Sequence, residues 1–384
     1  MVKTANIFFV NIMRIESIKI AGFRNLEAER IDFFPQMNIF SGKNAQGKSN
    51  LLEAIYLCSG GFSPRTHRES ELIGFQTSTA KITTEFVSNL RGHFNVDIEM
   101  SINRDISSRV KKKLLVNKAE RNFSDIAGLV PVVLFWISDL DIVRESPSRR
   151  RSFLDVELSM MSRTYNWTLK QYNKTLEQRN KLLKQLRDSG TFSAELLGSF
   201  DIQLVQYGTK IIEIREKFLS ELNFYLSDVY KGLTIGCEEL TLLYLPNVSV
   251  DGDLADSYQT RLFEHQMVDY QRGVTSVGPH RDDFYLAVDG RDIRTYGSQG
   301  EGRTVALSLR VAEFKMLEKS FGETPILLLD DVMSELDNSR RQGLLNYLSP
   351  MAQVIVTTTN VDAIGVQDSP NVKHFTVDNG IISD

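Results

Sequence analysis

One short segment near the start of the chain has the residue types and the spacing of a phosphate-binding loop. It matches the pattern G-x-x-x-x-G-K-[ST] with Gly42, Lys43, Asn44, Ala45, Gln46, Gly47, Lys48 and Ser49. Glycines let backbone N–H groups turn inward around a phosphate, and a helix that follows adds the positive end of its dipole. Lys48 would then reach the β- and γ-phosphates of a nucleotide, and Ser49 would ligate Mg²⁺. A plain glycine turn is the alternative, but the apolar residues on both sides of the loop favour a nucleotide site.

Two adjacent carboxylates lie at the end of a second apolar run, residues 326–329. Asp330 and Asp331 give this run the Walker B form. We expect Asp330 to hold Mg²⁺ through water, and Asp331 to orient or deprotonate the attacking water. A strand that ends in a solvated acidic turn is the alternative, and the phosphate loop favours the metal-binding interpretation. A long insertion separates these two halves of one predicted ATP site.

Three further segments lie where they could complete such a site. Ser298, Gln299 and Gly300 precede an amphipathic helix, and a serine and glycines at a helix start can bind an anion. An ordinary helix cap is the alternative interpretation of this segment. The acid pair is followed by a polar segment of Ser334, Glu335, Leu336 and Asp337. A third apolar run, residues 354–356, ends in Thr357, Thr358 and Thr359.

The hydrophobic pattern predicts the strands and helices that must position these segments. Strand patterns occur in residues 14–39, 81–116, 132–136, 240–245 and 283–288. Helical patterns occur in residues 50–57, 148–189 and 195–230. We therefore predict an α/β ATPase lobe that is interrupted by a helical insertion. The lobe would comprise residues 13–146 and 236–384, with the insertion at residues 147–235.

The composition excludes several classes of protein. The chain has 384 residues, of which 42% are hydrophobic, so it can build a core and is not intrinsically disordered. Its formal charge of −4 excludes a polybasic coat for nucleic acid, and anions must therefore bind at local sites. The two cysteines, Cys58 and Cys237, cannot form a disulfide framework. Because no apolar run reaches about 18 residues, we expect a soluble, cytoplasmic protein.

Together, these segments resemble the head of an ABC-type ATPase of the SMC-like branch, a P-loop NTPase fold. The resemblance implies that Ser298, Gln299 and Gly300 form the signature motif, which contacts the γ-phosphate held by a second protomer. It also implies that residues 334–337 are the D-loop and that the threonines occupy the switch position, with Thr358 as a catalytic residue. One head would then carry two half-sites, and hydrolysis would require a dimer.

Further motifs make the resemblance more specific, to the RecF family of bacterial recombination mediators. They lie at residues 22–25, 48–56, 62–66, 146–155, 278–283 and 298–300. The resemblance covers the chain from about Met13 onward and implies that Arg24 is a nucleotide-binding residue. It implies ATP and Mg²⁺ as ligands, an ATP-dependent homodimer and weak, DNA-dependent ATPase activity. It further implies binding to DNA at gaps between single and double strands, where RecO and RecR help to load the RecA recombinase.

The sequence departs from the family pattern at a few positions. Ala45 stands where the family usually has glycine, which costs little if its φ stays negative, since its N–H can then still approach a phosphate. Gly302 stands where a polar residue is usual. No Q-loop glutamine occurs at residues 135–140, and threonine replaces the switch histidine of transporter ATPases, which predicts slow turnover. Residues 1–12 lie outside the resemblance, and Met13 is therefore the expected native start.

DNA would have to bind at local basic segments, since the chain as a whole is acidic. Two segments are candidates, the first with Lys111, Lys112 and Lys113 and the second with Arg149, Arg150 and Arg151. Contacts of this kind to phosphates give affinity without sequence specificity. Solvated surface charge is an equally good interpretation of both segments. His280 and Arg281 could reach a phosphate or cap a turn, and the sequence leaves both possibilities open.

The leading hypothesis is a DNA-binding ATPase switch, in which ATP closes two heads around duplex DNA and hydrolysis reopens them. The nucleotide-binding ATPase subunit of an ABC transporter is the main alternative, disfavoured by the missing glutamine and histidine and by the long insertion. A structural SMC-like head is a second alternative, but the helices of the insertion are too short for a long coiled coil. A small-molecule kinase would leave the signature segment without a role.

Overall fold

The computed structural model of the chain describes residues 11–66, 68–104, 109–136, 139, 142–234, 238–249, 252–336, 340, 341, 343, 344, 352–361, 364 and 370–384. The chain divides into two compact units. We call them the sheet unit (Met1–Leu140, Lys231–Gly236 and Leu307–Asp384) and the helical unit (Asp141–Tyr230 and Cys237–Ala306). The helical unit is larger than the predicted insertion, because it also contains residues 237–306, which the sequence pattern assigned to the ATPase lobe.

The strands follow the predicted alternation and apolar runs closely. In chain order they are β1 (Met13–Phe23), β2 (Leu26–Asp32), β3 (Met37–Ser41), β4 (Thr79–Ser88), β5 (Gly92–Ile102), β6 (Val110–Val116), β7 (Ala119–Arg121), β8 (Val132–Trp136), β9 (Leu240–Leu245), β10 (Asp283–Val288), β11 (Arg291–Asp292), β12 (Ile326–Asp330), β13 (Val354–Thr358), β14 (Val372–Asp378) and β15 (Ile381–Ser383). Along β5 the predicted apolar face of Phe94, Val96, Ile98 and Met100 is buried, as a half-buried strand requires.

The helices include the long pair of the predicted insertion. In chain order they are α1 (Lys48–Gly60), α2 (Pro147–Met161), α3 (Arg163–Ser189), α4 (Ala194–Thr234), α5 (Leu254–Arg272), α6 (Ile293–Tyr296), α7 (Gln299–Phe321) and α8 (Val332–Glu335). Helix α5 has no counterpart among the predicted helices. None of the helices in the described part of the chain is both long enough and apolar enough to cross a membrane.

The sheet unit is organised around a 12-stranded sheet, as far as the described residues define it, with strand order β7-β6-β5-β4-β1-β2-β15-β14-β3-β13-β12-β8. The strands from β7 to β2 pair antiparallel, whereas β14, β3, β13, β12 and β8 are parallel neighbours. Of these, β8, β12 and β13 read as nearly continuous apolar runs because both of their faces are covered, whereas β14 alternates between buried and exposed residues. The sequence pattern therefore predicted the mixed α/β class correctly.

The strand order β3-β13-β12 determines where the predicted site residues lie. Parallel strands end at the same edge of a sheet, and ligands bind at that edge in open α/β sheets. The phosphate loop follows β3, the threonines end β13, and the two carboxylates lie at the end of β12. Three segments that are far apart in sequence are thereby brought to one edge.

Close backbone approach explains one glycine that interrupts the helical pattern. A Cβ atom at Gly208 in α4 would lie 2.4 Å from a ring carbon of Tyr258 in α5. Glycine weakens a helix by roughly 0.5–1 kcal/mol relative to alanine, and α4 nevertheless continues through this position because the helices pack there. Gly198 and Gly208 therefore do not end the helix.

A buried arginine joins three helices of the helical unit. The Arg179 side chain of α3 has no exposed surface, and it pairs with Asp201 of α4 at 2.6 Å and with Asp269 of α5 at 2.8 Å. Its Nη1 also donates to the Thr275 hydroxyl. A buried charge needs partners of opposite charge, because an unpaired ion in a protein interior is strongly unfavourable.

The two possibilities for His280 and Arg281 can now be distinguished. His280 Nδ1 lies 2.7 Å from the Tyr172 hydroxyl, and its Nε2 lies 3.0 Å from the carbonyl oxygen of Thr275. Arg281 donates to the same carbonyl group. Burial lowers the pKa of His280 to about 4, so the ring is neutral at pH 7. Both residues hold a turn of the helical unit together, and a phosphate contact is not needed to explain them.

We predict that Asp269→Asn destabilises the helical unit by about 3–5 kcal/mol, because it removes one partner of a fully buried charge. Urea unfolding followed by circular dichroism measures this change. Glu177→Gln is the matched control, since it breaks the exposed ion pair between Glu177 and Lys181 and should leave the unfolding curve unchanged. Equal midpoints for Asp269→Asn and the wild-type chain would contradict the assigned role of Arg179.

Candidate nucleotide site

The phosphate loop leaves β3 at a point of very close backbone packing. A Cβ atom at Gly42 would lie 2.3 Å from the carbonyl oxygen of Val377 in β14, so only glycine fits there. Gly47, at the other end of the loop, has φ 114°, and its backbone lies against Asn25 and Leu26. The carbonyl of Gln46 accepts from the N–H of Gly380 and from the Asn25 side chain. The loop is therefore rigidly anchored.

Ala45 does not have the negative φ under which alanine would cost little at this position. Its φ is +64°, in the left-handed region. This conformation costs a non-glycine residue roughly 1–2 kcal/mol. Since the phosphate loop is pinned at Gly42, Gln46 and Gly47, the surrounding contacts impose the conformation on Ala45.

Lys48 begins α1 and is directed back over the loop that precedes it. Its ammonium group donates to the carbonyl oxygens of Gly42 and Lys43, both at 2.8 Å. Only 6% of the residue is exposed, and burial lowers its pKa, while the nearby Asp330 and Asp331 act in the opposite direction. A cation is thus enclosed between the loop and two carboxylates, where the terminal phosphates of a nucleotide would lie.

The Ser49 hydroxyl and the Asp330 carboxylate meet across the sheet edge. Ser49 Oγ donates to Asp330 Oδ1 at 2.8 Å, and Thr357 Oγ1 donates to the same oxygen at 2.8 Å. Burial raises the pKa of Asp330, and these two hydrogen bonds act against that shift. Oxygen ligands suit Mg²⁺, which usually binds through one or two protein oxygens together with substrate phosphates. The described residues contain no cluster of three or more acidic, His or Cys side chains that could hold a metal ion alone.

Asp331 has an unusual backbone conformation beside the predicted metal ligands. Its φ is +53°, and it occupies the N-cap of α8. Its N–H contacts the Thr357 hydroxyl at 3.0 Å and the Thr357 carbonyl oxygen at 3.2 Å. A left-handed residue that its neighbours fix so firmly is typical of functional sites. The pair Asp330 and Asp331 therefore turns sharply at the end of β12.

Two threonines at the predicted switch position, Thr357 and Thr358, have different hydrogen-bond partners. Thr358 Oγ1 is buried and bonds within its own turn, donating to the carbonyl of Asn360 and accepting from the N–H of the same residue. Thr357, which we had not named as a site residue, is the one that contacts both Asp330 and Asp331. The sequence shows that threonines end β13, but which of them contacts β12 is determined by the tertiary structure.

Arg24 is held at the site by a buried glutamate that the sequence reasoning also missed. The Glu53 side chain has no exposed surface and accepts from Arg24 at 2.5 and 2.8 Å. Ser63 donates to the same carboxylate at 2.6 Å, and Arg65 lies 3.3 Å from it. Glu53 lies on α1, just after the phosphate loop. Two arginines are thereby fixed beside the phosphate-binding region by one buried carboxylate.

A cavity of about 1070 Å³ opens at the phosphate loop and includes most of these side chains. Lys48, Ser49, Asp330 and Asp331 line one part of it, together with Arg24 and Arg65. Ile73, Phe75, Ile102 and Arg104 line another part. Ligand pockets usually have volumes of about 300–1,000 Å³, so this cavity has room for an entire nucleotide.

The predicted signature segment lies in the helical unit. Ser298 and Glu301 cap α7 reciprocally: Ser298 Oγ accepts from the N–H of Glu301, and Glu301 Oε2 accepts from the N–H of Ser298. Ser298 and Gln299 are exposed, and Gly300 is half-buried. Arg144 donates to the carbonyl of Gly297 at 2.6 Å. Within one chain the segment is therefore an ordinary helix cap that presents Ser298 and Gln299 to solvent.

Two other predicted elements can be described only in part. Asp337 of the D-loop lies outside the described residues, while Ser334 belongs to α8. Within residues 135–140, where no Q-loop glutamine occurs, the carboxylate of Asp139 accepts from Arg310 at 2.9 Å and from the N–H of Trp136. The sequence reasoning had identified no residue for this position.

The six basic residues predicted to bind DNA differ in their surroundings. Lys111, Lys113 and Arg149 are exposed. Lys112, in contrast, donates to the carbonyl of Gly61 at 2.7 Å, pairs with Glu69 and lies against the ring of Phe123. Arg150 is 1% exposed and forms two hydrogen bonds with Asp283, and half-buried Arg151 donates to the carbonyl of Asp282. We therefore remove Lys112 and Arg150 from the predicted DNA-binding set.

Comparison with known proteins identifies the family. The family model described as "RecF/RecN/SMC N terminal domain" matches residues 14–383. The DNA replication and repair protein RecF of Oceanobacillus iheyensis is 38% identical over 376 residues, which cover 97% of this chain and 100% of that protein. The corresponding protein of Alkaliphilus oremlandii is 40% identical over 358 residues, covering 92% of this chain and 95% of the relative.

Solved structures agree with this result. The recombination mediator protein RecF with ATP, of the RecFOR pathway, superimposes with a TM-score of 0.87 at 34% identity and covers 99% of both chains. An Smc head bound to a domain of ScpA has a TM-score of 0.53 at 16% identity and covers 96% of both chains, which shows the shared fold. The predicted fold class and resemblance are thus confirmed, and the chain belongs to the RecF family of DNA replication and repair proteins.

Proposed function

We propose that the chain is an ATP-dependent DNA-binding protein of recombinational repair and replication restart, working in the cytoplasm. The observation that carries the proposal is the 2.8 Å hydrogen bond between Ser49 and Asp330 beside the enclosed Lys48 ammonium group. The relatives described as RecF with ATP support the choice of nucleotide. The match over residues 14–383 to the RecF/RecN/SMC model does not favour the alternative of a transporter subunit.

The chain's own residues suggest how ATP would be bound. Backbone N–H groups of the phosphate loop and Lys48 would bind the β- and γ-phosphates, and Arg24 would lie beside them. Ser49 and Asp330 would hold Mg²⁺, which when bound would neutralise charge on the phosphates. Asp331 would orient the attacking water, and its fixed backbone suits that role. Because threonines occupy the switch position, we propose slow hydrolysis that works as a timer.

The second half of each site would come from another copy of the chain. Ser298, Gln299 and Gly300 lie at the start of a 23-residue helix whose dipole favours an anion. The exposure of Ser298 and Gln299 in one chain supports this role, since these groups are open to a partner. We propose that ATP held by one protomer is contacted by the signature segment of the other, so that ATP binding and dimerisation are coupled.

DNA binding would depend on a few exposed basic residues, mainly Lys111 and Lys113 of β6 with a contribution from Arg149. These residues contact phosphate and not base edges in our proposal, so binding would fall with salt and would tolerate any sequence. We propose duplex DNA at single-strand gaps as the target, with RecO and RecR as partners in loading the recombinase, on the basis of the family alone.

We expect Asp331→Asn to retain ATP binding and to lose hydrolysis by about 100-fold or more, since it removes the group that activates water. The variant should therefore accumulate as an ATP-bound dimer. Phosphate release and size-exclusion chromatography with ATP measure both effects. Asp188→Asn is the control, because Asp188 is exposed in the helical unit. Hydrolysis at the wild-type rate by Asp331→Asn would refute this assignment.

Ser298→Arg should bind ATP with unchanged affinity but fail to dimerise when ATP is added. The reason is steric: the arginine side chain would fill the space that the γ-phosphate held by the partner protomer would occupy. Equilibrium ATP binding and analytical ultracentrifugation of the same samples separate the two properties. Ser189→Arg, at an exposed position at the end of α3, adds the same side chain as a control. Normal ATP-dependent dimerisation of Ser298→Arg would disprove the composite site.

The double variant Lys111→Ala, Lys113→Ala should bind duplex DNA more weakly and with a salt slope smaller by about 2, one for each lost phosphate contact. Fluorescence anisotropy over a salt series with ATP present gives both numbers. A control of equal charge change is Lys181→Ala, Lys217→Ala, at exposed positions of α3 and α4. An identical loss in both double variants would argue against a local DNA surface on β6.

A further inference from the structure

Lys112 lies between the strand proposed to bind DNA and the helix that follows the phosphate loop. It belongs to β6, and successive side chains of a strand point to opposite faces of the sheet. Its neighbours Lys111 and Lys113 are exposed, whereas only 7% of the Lys112 side chain is exposed. One strand therefore presents two lysines to solvent and directs the lysine between them into the sheet unit.

Three contacts hold the Lys112 ammonium group in place. It donates to the carbonyl of Gly61 at 2.7 Å, pairs with Glu69 at 3.1 Å and lies 4.5 Å from the centre of the Phe123 ring. Gly61 caps the end of α1 with φ 76°, and a Cβ atom there would lie 3.0 Å from a ring carbon of Phe123. The end of α1 is thus fixed against β6 by a charge-assisted hydrogen bond and by close packing.

The first partner, Gly61, connects Lys112 to the phosphate loop. Gly61 directly follows the 13 residues of α1, and the first two of these are Lys48 and Ser49 of the loop. Most residues of α1 are buried. A packed helix behaves as a rigid element, so a displacement of one end is carried to the other. A shift of β6 would therefore reach the side chains proposed to bind phosphate and Mg²⁺.

The second partner, Glu69, connects Lys112 to Arg24. Glu69 begins a short helical turn that ends at Leu72. The carbonyl of Leu72 accepts from the N–H of Arg24 at 2.9 Å, and the Arg24 side chain forms two hydrogen bonds with Glu53 of α1. Both connections from Lys112 thus end at side chains that line the nucleotide cavity.

We propose that Lys112 is a positioning residue through which DNA bound to β6 changes the affinity of the same chain for ATP. The proposal rests on the proposed binding of ATP and DNA, and it adds a connection between the two sites within one protomer. DNA phosphates that contact Lys111 and Lys113 shift β6, and the Lys112 ammonium group carries this shift to α1 and to the turn before Arg24. Such coupling is reciprocal, since each ligand changes the affinity for the other by the same factor.

The test uses the full chain with Ser298→Arg, so that coupling within one protomer is separated from dimerisation. Isothermal titration calorimetry gives the affinity for Mg-ATP without DNA and with saturating gapped duplex DNA. DNA should tighten ATP binding by about fivefold or more, the lower end of typical coupling between two sites. Adding Lys112→Met should abolish this factor and leave the affinities for ATP alone and for DNA alone unchanged. Adding Lys112→Arg instead should retain the factor, because arginine keeps the cation.

Lys373→Met is the matched control. Lys373 also donates to a backbone carbonyl, pairs with a carboxylate and lies over a phenylalanine ring, through Asp32, Asp384 and Phe375. It belongs to β14, which does not pair with β6. This variant removes a lysine with the same kinds of contact, and it should leave the effect of DNA on ATP binding intact.

Three results would overturn the role of Lys112 and leave the proposed function intact. The first is a DNA-dependent factor that Lys112→Met does not change. The second is a weaker affinity of Lys112→Met for ATP alone with the factor retained, which indicates a purely structural role. The third is an affinity for ATP that DNA does not change in the Ser298→Arg chain. Failure of that chain to bind ATP or DNA at all would instead count against the proposed function itself.

Discussion

The hydrogen bond between Ser49 and Asp330 depends on the order of three parallel strands. Ser49 follows β3 and Asp330 ends β12, while β13 lies between these strands and supplies Thr357 to the same carboxylate. A slip of one residue in either pairing would reverse the side chains at the strand ends. The register of Leu329 with Val356 and of Val356 with Ile39 therefore determines the geometry of the site.

Charge is the second constraint, since several ionisable groups are buried around this edge. The carboxylates of Asp330 and Glu53 accept hydrogen bonds from hydroxyl or guanidinium donors. The Lys48 ammonium group donates to backbone carbonyls. Each group has partners within the chain, so the site is formed before any ligand binds. Such preorganisation lowers the cost of ordering side chains on binding. Strain at Ala45 and Asp331 lies within the same region, where the surrounding contacts hold both residues at positive φ.

Much of this arrangement could be predicted from the sequence because its signals are local. The spacing of Gly42, Gly47 and Lys48 predicts a phosphate-binding loop, and the apolar run before Asp330 predicts a strand. The role of Thr357 as opposed to Thr358 could not be predicted, because it depends on which side chain of β13 faces β12. Glu53 was missed since a glutamate on a helix normally faces solvent. Lys112 and Arg150 belong to basic runs, and only tertiary contacts with Gly61 and Asp283 distinguish them from their exposed neighbours.

We propose that ATP and DNA act together to bring two copies of the chain into one assembly. Sedimentation velocity with ATP, with and without gapped duplex DNA, tests this coupling when the ATPase rate is measured in the same samples. We expect ATP to increase the fraction of dimer, and gapped duplex DNA to raise both this fraction and the rate of hydrolysis. A sedimentation coefficient that neither ATP nor DNA changes, together with a hydrolysis rate insensitive to DNA, would rule out the proposed coupling.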